Sequence, residues 1–431
     1  MTVEIRGERR RVTKDSALHL GAAALCAALG AALAAVPAGA EGGVSTPCAE
    51  RGNWIDPGTG QSLDRGDLFR DLAAAPSVVL LGESHTDADD HRWQLQTLAA
   101  LHGRGGAVVL GFEAFPRRLQ AVLDDWVADR LTENAFLKAS GWREVWGYDA
   151  ALYMPLFEFA RLNRIPMVAL NVERTLVARV AAEGWESVTA GEREGLSDPA
   201  PADADYQRDL ARVFLFKKSL PPGADPLSAA AQATPAEPSE AAVAETLAQP
   251  DFRRFVAAQL TWDRAMAEAL ADTRRRFPDA AVVAILGSGH VEGGHGVPHQ
   301  LRALGVERVR SFVTAAVETA CAPPGAARAD AVFTLPREDA EARPERPRLG
   351  ILLSGGAGAP RITRVVGGSV AERAGLQAGD EVVRAAGVVV TTPAELVEVV
   401  SRQEPGTWLP LSIRRSGQDV DAVAKFPPPE R

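Results

Sequence analysis

Four side chains of the types that do acid–base or metal chemistry lie at the ends of short apolar runs in this chain. They are Glu83, His85, Glu113 and His290. Neutral imidazoles and carboxylates together form a donor set that suits a Zn²⁺, Fe or Mn²⁺ ion. Without a metal the same groups could act as general acid and general base, which makes Glu83 and Glu113 the candidate catalytic residues.

The apolar runs themselves have the composition of buried β-strands. They span residues 77–81, 107–112, 165–170 and 280–286. Short runs rich in β-branched residues, alternating with helical patterns, are typical of parallel strands, and open α/β sheets bind ligands beyond the carboxyl ends of their strands. The sequence therefore predicts an α/β fold, with a mainly parallel sheet flanked by helices, in which two histidines and two glutamates converge on one site.

Ordinary structural roles are also open for these residues. Glu83 could cap the helix that follows it, and Glu113 could pair with Arg117 or Arg118. His290 lies in a Gly-rich loop and is the least easily explained by packing alone.

Further candidates lie near the same runs. His91 comes six residues after His85, in the first turn of a predicted helix, and could face the same cleft. Tyr148 and Tyr153 belong to a segment dense in aromatic residues. Because tyrosinate is a known axial ligand of haem iron, each tyrosine could either ligate haem or pack in the interior.

Length and charge limit the classes of function. A chain of 431 residues is long enough for two domains, and its net charge of −9 argues against nucleic-acid binding. Residues 50–321 are predicted to form the α/β domain, in which the Ala-, Pro-, Glu- and Ser-rich stretch 219–250 is a disordered insertion. Residues 322–347 are predicted to be a linker, and residues 348–427 a small separate β-rich domain.

The N-terminus has the pattern of an export signal. Residues 1–40 contain a basic segment, an apolar stretch and a small-x-small cleavage pattern at Ala38-Gly39-Ala40. Export would place the protein in the periplasm or cell envelope. The signal is either cleaved or retained as an anchor, since about 20 apolar residues can cross a bilayer, and no other segment is long and apolar enough to reach the membrane interior. Cys48 and Cys321 would remain after cleavage, either as thiols or as one disulfide.

The residues that follow the first run resemble the opening motif of the ChaN family, a haem-binding uptake family of the Tiki/erythromycin-esterase-like superfamily. The motif is Gly82-Glu83-Ser84-His85-Thr86-Asp87, with His91 and Gln94 after it. Later segments match in the same order: Glu113, Trp142, Tyr148, Tyr153-Met154-Pro155, Asn171, Arg174, Gln259, Asp263, Met266-Ala267, Gly287-Ser288-Gly289-His290-Val291, Gly294 and Gly296-Val297-Pro298. The resemblance covers about residues 60–315 apart from the insertion.

This resemblance implies an α/β fold, an envelope location and a role in haem or iron uptake and handling, with haem held between the protomers of a homodimer. It implies a haem or metal site formed by Glu83, His85, His91, Glu113 and His290. It also implies a haem pocket formed by Trp142, Tyr148, Tyr153 and Arg174. The family tends to carry a His-His pair on the first helix, where this chain has Asp90 before His91. That departure puts ligand affinity or metal choice in doubt.

The C-terminal domain resembles a PDZ domain of the type found in bacterial envelope proteases. The stretch Ser369–Asp380 is the most typical, and Thr392–Leu396 opens the groove helix. Leu349, Gly350 and Ile351 correspond to the carboxylate-binding loop. The resemblance implies that a partner's C-terminus adds as a strand to the sheet while loop N–H groups hold its carboxylate. The alternative is a PDZ fold that only packs against the first domain.

Three functions are consistent with the sequence. The first is an exported haem- and iron-binding protein whose PDZ module docks a partner's C-terminus. Because distant superfamily members are metalloproteases or esterases, the second is a metal-dependent hydrolase. In it, Glu83 or Glu113 activates water on a Zn, Fe or Mn ion held by His85 and His290. The third is a scaffold that works mainly through its PDZ groove. The sequence does not decide whether the chain is an enzyme.

Overall fold

The computed structural model describes residues 52–75, 77–220, 237–316, 329–335, 348–354 and 358–428. The predicted export signal at 1–40 and the predicted Cys48–Cys321 pairing lie outside these residues. The chain divides into two compact units, Met1–Arg337 and Glu338–Arg431. Among the described helices, none combines the length and the apolar character that a membrane span requires.

The first unit contains an eight-stranded sheet in the spatial order β2-β1-β8-β7-β3-β6-β4-β5. The strands are β1 (Trp54–Ile55), β2 (Ser62–Leu63), β3 (Val78–Glu83), β4 (Val108–Pro116), β5 (Met167–Asn171), β6 (Ala281–Gly287), β7 (Val309–Ala316) and β8 (Ala331–Leu335). The six strands from β8 to β5 pair in parallel, while β1 and β2 pair antiparallel at one edge. The predicted fold class is confirmed.

Helices cover both faces of this sheet. They are α1 (Arg65–Ala74), α2 (Ala88–His102), α3 (Gln120–Val127), α4 (Glu133–Ser140), α5 (Trp142–Val145), α6 (Ala150–Leu162), α7 (Arg174–Glu183), α8 (Ala204–Ser219), α9 (Glu240–Leu247), α10 (Pro250–Arg276) and α11 (Gly296–Ala303). Several begin at a side chain that accepts a backbone N–H bond, as Asp87 does for α2 and Asp203 for α8.

Successive residues of the central strands pack into two different cores. In β3, Val79 and Leu81 join the core beneath α2, α3 and α6, whereas Val78 and Leu80 join the core beneath α7, α10 and α11. Because both faces are covered, the central strands are almost continuously apolar, which explains why the sequence shows runs rather than alternation. Glu83 ends β3 and His290 follows the end of β6, whereas Glu113 lies inside β4, which continues to Pro116 beyond the predicted run.

Strand register brings the predicted site residues to one edge. Glu83, the last residue of β3, pairs with Gly287, the last residue of β6. On the other side of β6, Phe112 of β4 pairs with Ile285, so Glu113 is placed close to the end of the same strand. The carboxyl ends of three neighbouring strands therefore meet.

Two predicted segments contain secondary structure that the sequence analysis did not expect. The strand β8, at Ala331–Leu335, lies inside the stretch predicted to be a linker, and it pairs with β7 and β1. Ala331, Val332 and Thr334 are buried, but the strand is short and its Pro-, Ala- and Arg-rich flanks obscure it in the sequence. The helix α9 lies inside the predicted disordered insertion, where Val243 and Thr246 are buried. Residues 221–236 of that insertion lie outside the described residues.

The second unit is a small β-rich domain. Its strands are β9 (Ile351–Ser354), β10 (Arg361–Val365), β11 (Glu381–Ala385), β12 (Val388–Val389), β13 (Trp408–Arg415) and β14 (Gln418–Lys425), with helices α12 (Val370–Arg373) and α13 (Pro393–Ser401). The antiparallel order is β14-β13-β11-β10-β9, with β12 paired to β11, so β9 lies at an edge. Its own core includes Leu349, Ile362 and Leu396. An open edge strand is what peptide addition to a sheet requires.

Candidate functional site

The four strand-end side chains come together in the interior of the first unit. Glu83, His85, Glu113 and His290 are all at most 4 % exposed. The backbone N–H of Gly287 donates to Glu113 Oε2 over 2.6 Å. A Cβ at Gly287 would lie only 2.9 Å from Cε1 of His85, so glycine is needed for the imidazole to sit there. The four side chains converge as the strand pattern of the sequence predicts. Their chemical roles remain predictions.

Glu83 is hydrogen-bonded to a histidine and a tyrosine, and we call Tyr153, Glu83 and His85 the first triad. Nδ1 of His85 lies 2.8 Å from Glu83 Oε1, and the Tyr153 hydroxyl donates to the same oxygen over 2.7 Å. An ionised carboxylate only accepts hydrogen bonds, so Nδ1 carries the hydrogen and the neutral ring keeps its lone pair on Nε2. That Nε2 is buried and has no hydrogen-bond partner among the described residues. His85 therefore presents a Lewis-basic nitrogen.

His91 completes the surroundings of Glu83. Its Nδ1 lies 2.9 Å from Glu83 Oε2, an ion-pair contact without the alignment of a hydrogen bond, and its Nε2 lies 3.3 Å from the carbonyl oxygen of His85. Burial acts to raise the pKa of Glu83, but His91 and His85 outweigh it and lower that pKa to about 2. Burial likewise acts to lower the pKa of His91, but Glu83 raises it above its ordinary value. The pair is held as carboxylate and imidazolium.

His290 is held by a set of the same chemistry, Tyr206, Asp263 and His290, which we call the second triad. Nδ1 of His290 lies 2.5 Å from Asp263 Oδ1, and the Tyr206 hydroxyl donates to Asp263 Oδ2 over 2.8 Å. Nε2 of His290 lies 3.6 Å from Glu113 Oε1. All three side chains are buried.

The functional reading of the sequence missed Asp263 and Tyr206. Asp263 entered only as a motif match, and Tyr206 was not singled out at all. One signal was available for Asp263: it lies on the apolar face of α10 among Trp262, Ala265 and Met266, where a solvated carboxylate has no place. Tyr206, in the first turn of α8, has no comparable signal.

Asp90, which departs from the family pattern, anchors the loop that carries His85. Its carboxylate accepts from the backbone N–H of Ser84 over 2.7 Å and from the hydroxyl of Thr314 over 2.6 Å. Burial, reinforced by Asp87, raises the pKa of Asp90 to about 7. The residue thus fixes the loop rather than offering a ligand.

Two rings form an aromatic cover over His85: Tyr148, which was predicted as a haem-pocket residue, and Trp146, which was not. The rings of Trp146 and Tyr148 lie 4.8 and 4.9 Å from the His85 ring. Trp142 donates through Nε1 to the carbonyl of Tyr148 over 2.8 Å, and Arg174 donates to the carbonyl of Trp146 over 3.2 Å. The cover is therefore tied together by its own side chains and by the start of α7.

The three tyrosines of the chain differ in access. Burial and the neighbouring Glu83 raise the pKa of Tyr153 well above its ordinary value, so this residue is unsuited to act as a tyrosinate ligand. Tyr206 is buried on Asp263. Tyr148 alone is partly exposed.

The bare-metal prediction gains no support. Among the described residues, no group of three or more His, Cys, Asp or Glu side chains is arranged to hold a metal ion. In the first triad, Glu83 instead uses both oxygens on its protein neighbours.

In the second unit, the predicted peptide-binding loop has the backbone that such a loop needs. Leu349 is buried, Gly350 has a left-handed φ of +78°, and Ile351 begins the edge strand β9. A Cβ at Gly350 would lie 2.3 Å from Cβ of Ser369, so both space and conformation demand glycine.

Comparison with known proteins gives two family matches. Residues 68–301 match the model of haem-binding uptake proteins of the Tiki superfamily, ChaN, and residues 361–415 match the model of the PDZ domain. No protein of curated function matches the chain significantly.

Solved structures also resemble parts of the chain. The ChaN of Campylobacter jejuni, described with cofacial haem binding, is 16% identical over 65% of this chain and 95% of its own, with a TM-score of 0.45. A serine endoprotease from Yersinia pestis is 24% identical over 20% of this chain and 30% of its own, with a TM-score of 0.18. The HtrA3 PDZ domain bound to a phage-derived ligand is 24% identical over 18% of this chain and 83% of its own, with a TM-score of 0.17.

The donor chemistry of the site fits the haem that the family description names. His85 offers a buried imidazole nitrogen with no hydrogen-bond partner among the described residues, and the partly exposed Tyr148 lies against the same ring. Imidazole and tyrosinate are both axial ligand types of haem iron. The aromatic rings of the cover supply the apolar contact surface that a porphyrin requires.

Proposed function

Because this chain belongs to the ChaN family of haem-binding uptake proteins of the Tiki superfamily, we propose that its first unit binds haem in the course of haem or iron uptake. The observation that carries the proposal is the buried Nε2 of His85 beneath Trp146 and Tyr148, for which the described part of the chain supplies no hydrogen-bond partner. A buried polar atom without a partner costs free energy unless a ligand satisfies it. When bound, haem supplies an iron that accepts axial ligands.

Three residues of this chain would hold that group. His85 and Tyr148 offer an imidazole and a phenol to the iron. Arg174, at the start of α7, offers a guanidinium to a propionate carboxylate. Glu83 and Tyr153 would not contact the haem. They orient the His85 ring through their hydrogen bonds.

A haemin titration of the purified full-length chain tests the proposal. We expect a saturable shift of the Soret band, and we expect Tyr148→Phe and His85→Ala each to weaken haemin binding about tenfold or more. Trp408→Phe is the control, since Trp408 is an exposed aromatic residue of the second unit. A wild-type chain that produces no Soret shift would overturn the proposal.

For the second unit, a PDZ domain, we propose that the edge strand β9 and the loop at Gly350 bind the C-terminal peptide of a partner protein. Gly350→Val should abolish binding of a fluorescent C-terminal peptide. Gly417→Ala is the matched control, because Gly417 also has a left-handed φ, of +81°, but has open space around its missing Cβ. A peptide with an amidated C-terminus that binds as well as the free acid would contradict capture of the carboxylate.

We also propose export to the periplasm or cell envelope, supported by the basic and apolar pattern of residues 1–40. Fractionation of the producing cells and the N-terminal sequence of the mature protein test this proposal. A mature chain that begins after Ala40 indicates cleavage, an intact N-terminus in the membrane fraction indicates a retained anchor, and recovery in the cytoplasm contradicts export.

Hydrolysis is the second candidate function, supported by the placement of imidazoles on both sides of Glu113. His290 Nε2 lies 3.6 Å from Glu113 Oε1, while the His85 ring lies beside Gly287, whose N–H donates to Oε2. Such a set could act as general acid and base on an ester or peptide. Turnover that is lost in Glu113→Gln, with haemin binding retained, would favour this function.

A further inference from the structure

The two histidines of the site are held by matching partners from different parts of the fold. In each triad a carboxylate accepts one hydrogen bond from a tyrosine hydroxyl and one from a histidine Nδ1. The tyrosine of the first triad comes from α6, in the layer on one face of the sheet. The carboxylate of the second comes from α10, in the layer on the other face. Each triad thus draws on a separate helix layer.

Both triads direct a histidine toward the same carboxylate. Nε2 of His290 faces Glu113 Oε1 at 3.6 Å. The ring of His85 lies against Gly287, whose backbone N–H donates to the other oxygen, Glu113 Oε2. Glu113 is therefore the point at which the two halves of the site meet.

Neighbouring side chains and backbone fix the second triad in place, as they do the first. Tyr206 is placed by the N-cap of α8, where its backbone N–H donates to Asp203 over 2.8 Å. Its ring stacks on His295 at 5.4 Å, and His295 in turn lies 2.9 Å from Asp203. A Cβ at Gly296 would lie 2.6 Å from the carbonyl oxygen of His290 and 3.1 Å from Asp263, so the loop backbone closes tightly around this pair.

Packing alone does not account for a buried carboxylate, imidazole and phenol. Polar groups moved from water to the interior cost free energy even when they are hydrogen-bonded, and apolar residues of similar volume would often be at least as stable. A functional need for a fixed His290 orientation would be a reason for the chain to retain these three residues despite that cost.

We propose that Asp263 and Tyr206 are positioning residues for His290 and make it the second ligand-facing histidine of the site. Asp263 fixes the Nδ1–H tautomer, Tyr206 fixes the rotation of the Asp263 carboxylate, and Nε2 of His290 is thereby presented on the Glu113 side. The proposal rests on the haem-binding function for its ligand, but the orientation of His290 is a property of the ligand-free chain.

The first measurement therefore uses the full-length chain without haemin. Long-range ¹H–¹⁵N correlation spectra of the histidine rings, assigned with His85→Gln and His290→Gln, should show a hydrogen on Nδ1 of both rings. A His290 ring without a hydrogen on Nδ1 would overturn the proposal. In Asp263→Asn the Nδ1–H state of His290 should lose its dominance, while the His85 signals stay unchanged.

The second measurement is haemin affinity below the melting temperature of each variant. Asp263→Asn should weaken binding about tenfold or more, as expected when an outer partner of a ligand is lost. Tyr206→Phe removes only one hydroxyl and serves as the second variant in case Asp263→Asn does not fold. It should weaken haemin binding about fivefold. Thr273→Val is the control, because it removes a buried hydroxyl of α10 that bonds only within the helix, to Ala269.

These results separate the two proposals. Wild-type chain with the expected tautomers but without haemin binding contradicts the haem function and leaves the positioning role intact. The opposite result is also possible. If Tyr206→Phe and Asp263→Asn lower only the melting temperature and change neither the haemin affinity nor the His290 tautomer, the positioning role is contradicted and the haem function stands.

Discussion

The first and second triads have the same hydrogen-bonding groups but different chain geometry. In the first, Glu83 and His85 lie two residues apart at the end of β3, and only Tyr153 is distant in sequence. In the second, His290 meets a carboxylate 27 residues before it, and the tyrosine lies a further 57 residues away. The comparison teaches that one local motif and one purely tertiary assembly can build equivalent environments around a histidine.

Their surroundings differ as well. Glu83 also contacts His91, which is held as an imidazolium, so the first triad contains its own counter-charge. Asp263 is placed close to the loop backbone at Gly296. We therefore expect the first triad to depend more on charge and the second more on the packing of α8 and α10.

The largest effect should come from removal of the carboxylates. Glu83→Ala and Asp263→Ala should each lower the free energy of unfolding by about 3–5 kcal/mol, because a buried partner is left unpaired. Glu83→Ala should lower the free energy of unfolding more than Asp263→Ala does, because it also removes the ion-pair partner of His91. Tryptophan fluorescence during urea unfolding of the full chain measures this, as all tryptophans except Trp408 lie in the first unit. Effects below about 1 kcal/mol at Asp263 would break the equivalence.

The first triad should also show its charge as a pH dependence. The pKa of Glu83 is depressed from 4.5 to about 2, so its contribution to stability is present above pH 4.5 and is lost as the pH falls toward 2. The shift corresponds to about 3 kcal/mol. Subtracting the stability-against-pH curve of Glu83→Gln from that of the wild type should isolate this loss. A difference that does not change between pH 5 and 2 would contradict the ion pair with His91.

A smaller effect is expected at Gly287, which lies against the His85 ring and donates its N–H to Glu113. Gly287→Ala places a Cβ 2.9 Å from Cε1 of His85 and should cost about 1–3 kcal/mol through overpacking. It should also shift the ring resonances of His85 more than those of His290. Gly106→Ala is the control, because no atom lies within 4 Å of its missing Cβ. Equal melting temperatures for the two variants would contradict the close approach.

The smallest effects should be those of the two hydroxyls. Tyr153→Phe and Tyr206→Phe each remove one hydrogen bond to a carboxylate that keeps its other partners, which costs about 1 kcal/mol. Thermal unfolding of the two variants side by side would sharpen the comparison. A loss several times larger at one tyrosine would show that the triads are not energetically equivalent.

Much of the fold was predictable because its signals are local. Buried parallel strands produce apolar runs in the chain. Glu83 ends β3 and His290 follows β6, while Glu113 interrupts the apolar run of β4 before that strand ends. The errors have local causes too. The strand β8 is only five residues long between biased flanks, and α9 is an Ala- and Glu-rich helix in a segment that composition alone marks as unstructured.

The amino-acid sequence by itself determines which helices and strands form and which polar residues lie near their ends. Both features depend on residues that are neighbours along the chain. The meeting of Tyr206 and Asp263 at His290 was decided only by the packing of α8 and α10 against the sheet. A hydrogen bond between residues 27 or 57 positions apart leaves no periodic trace in sequence, because its geometry depends on how helices cross rather than on how residues follow one another.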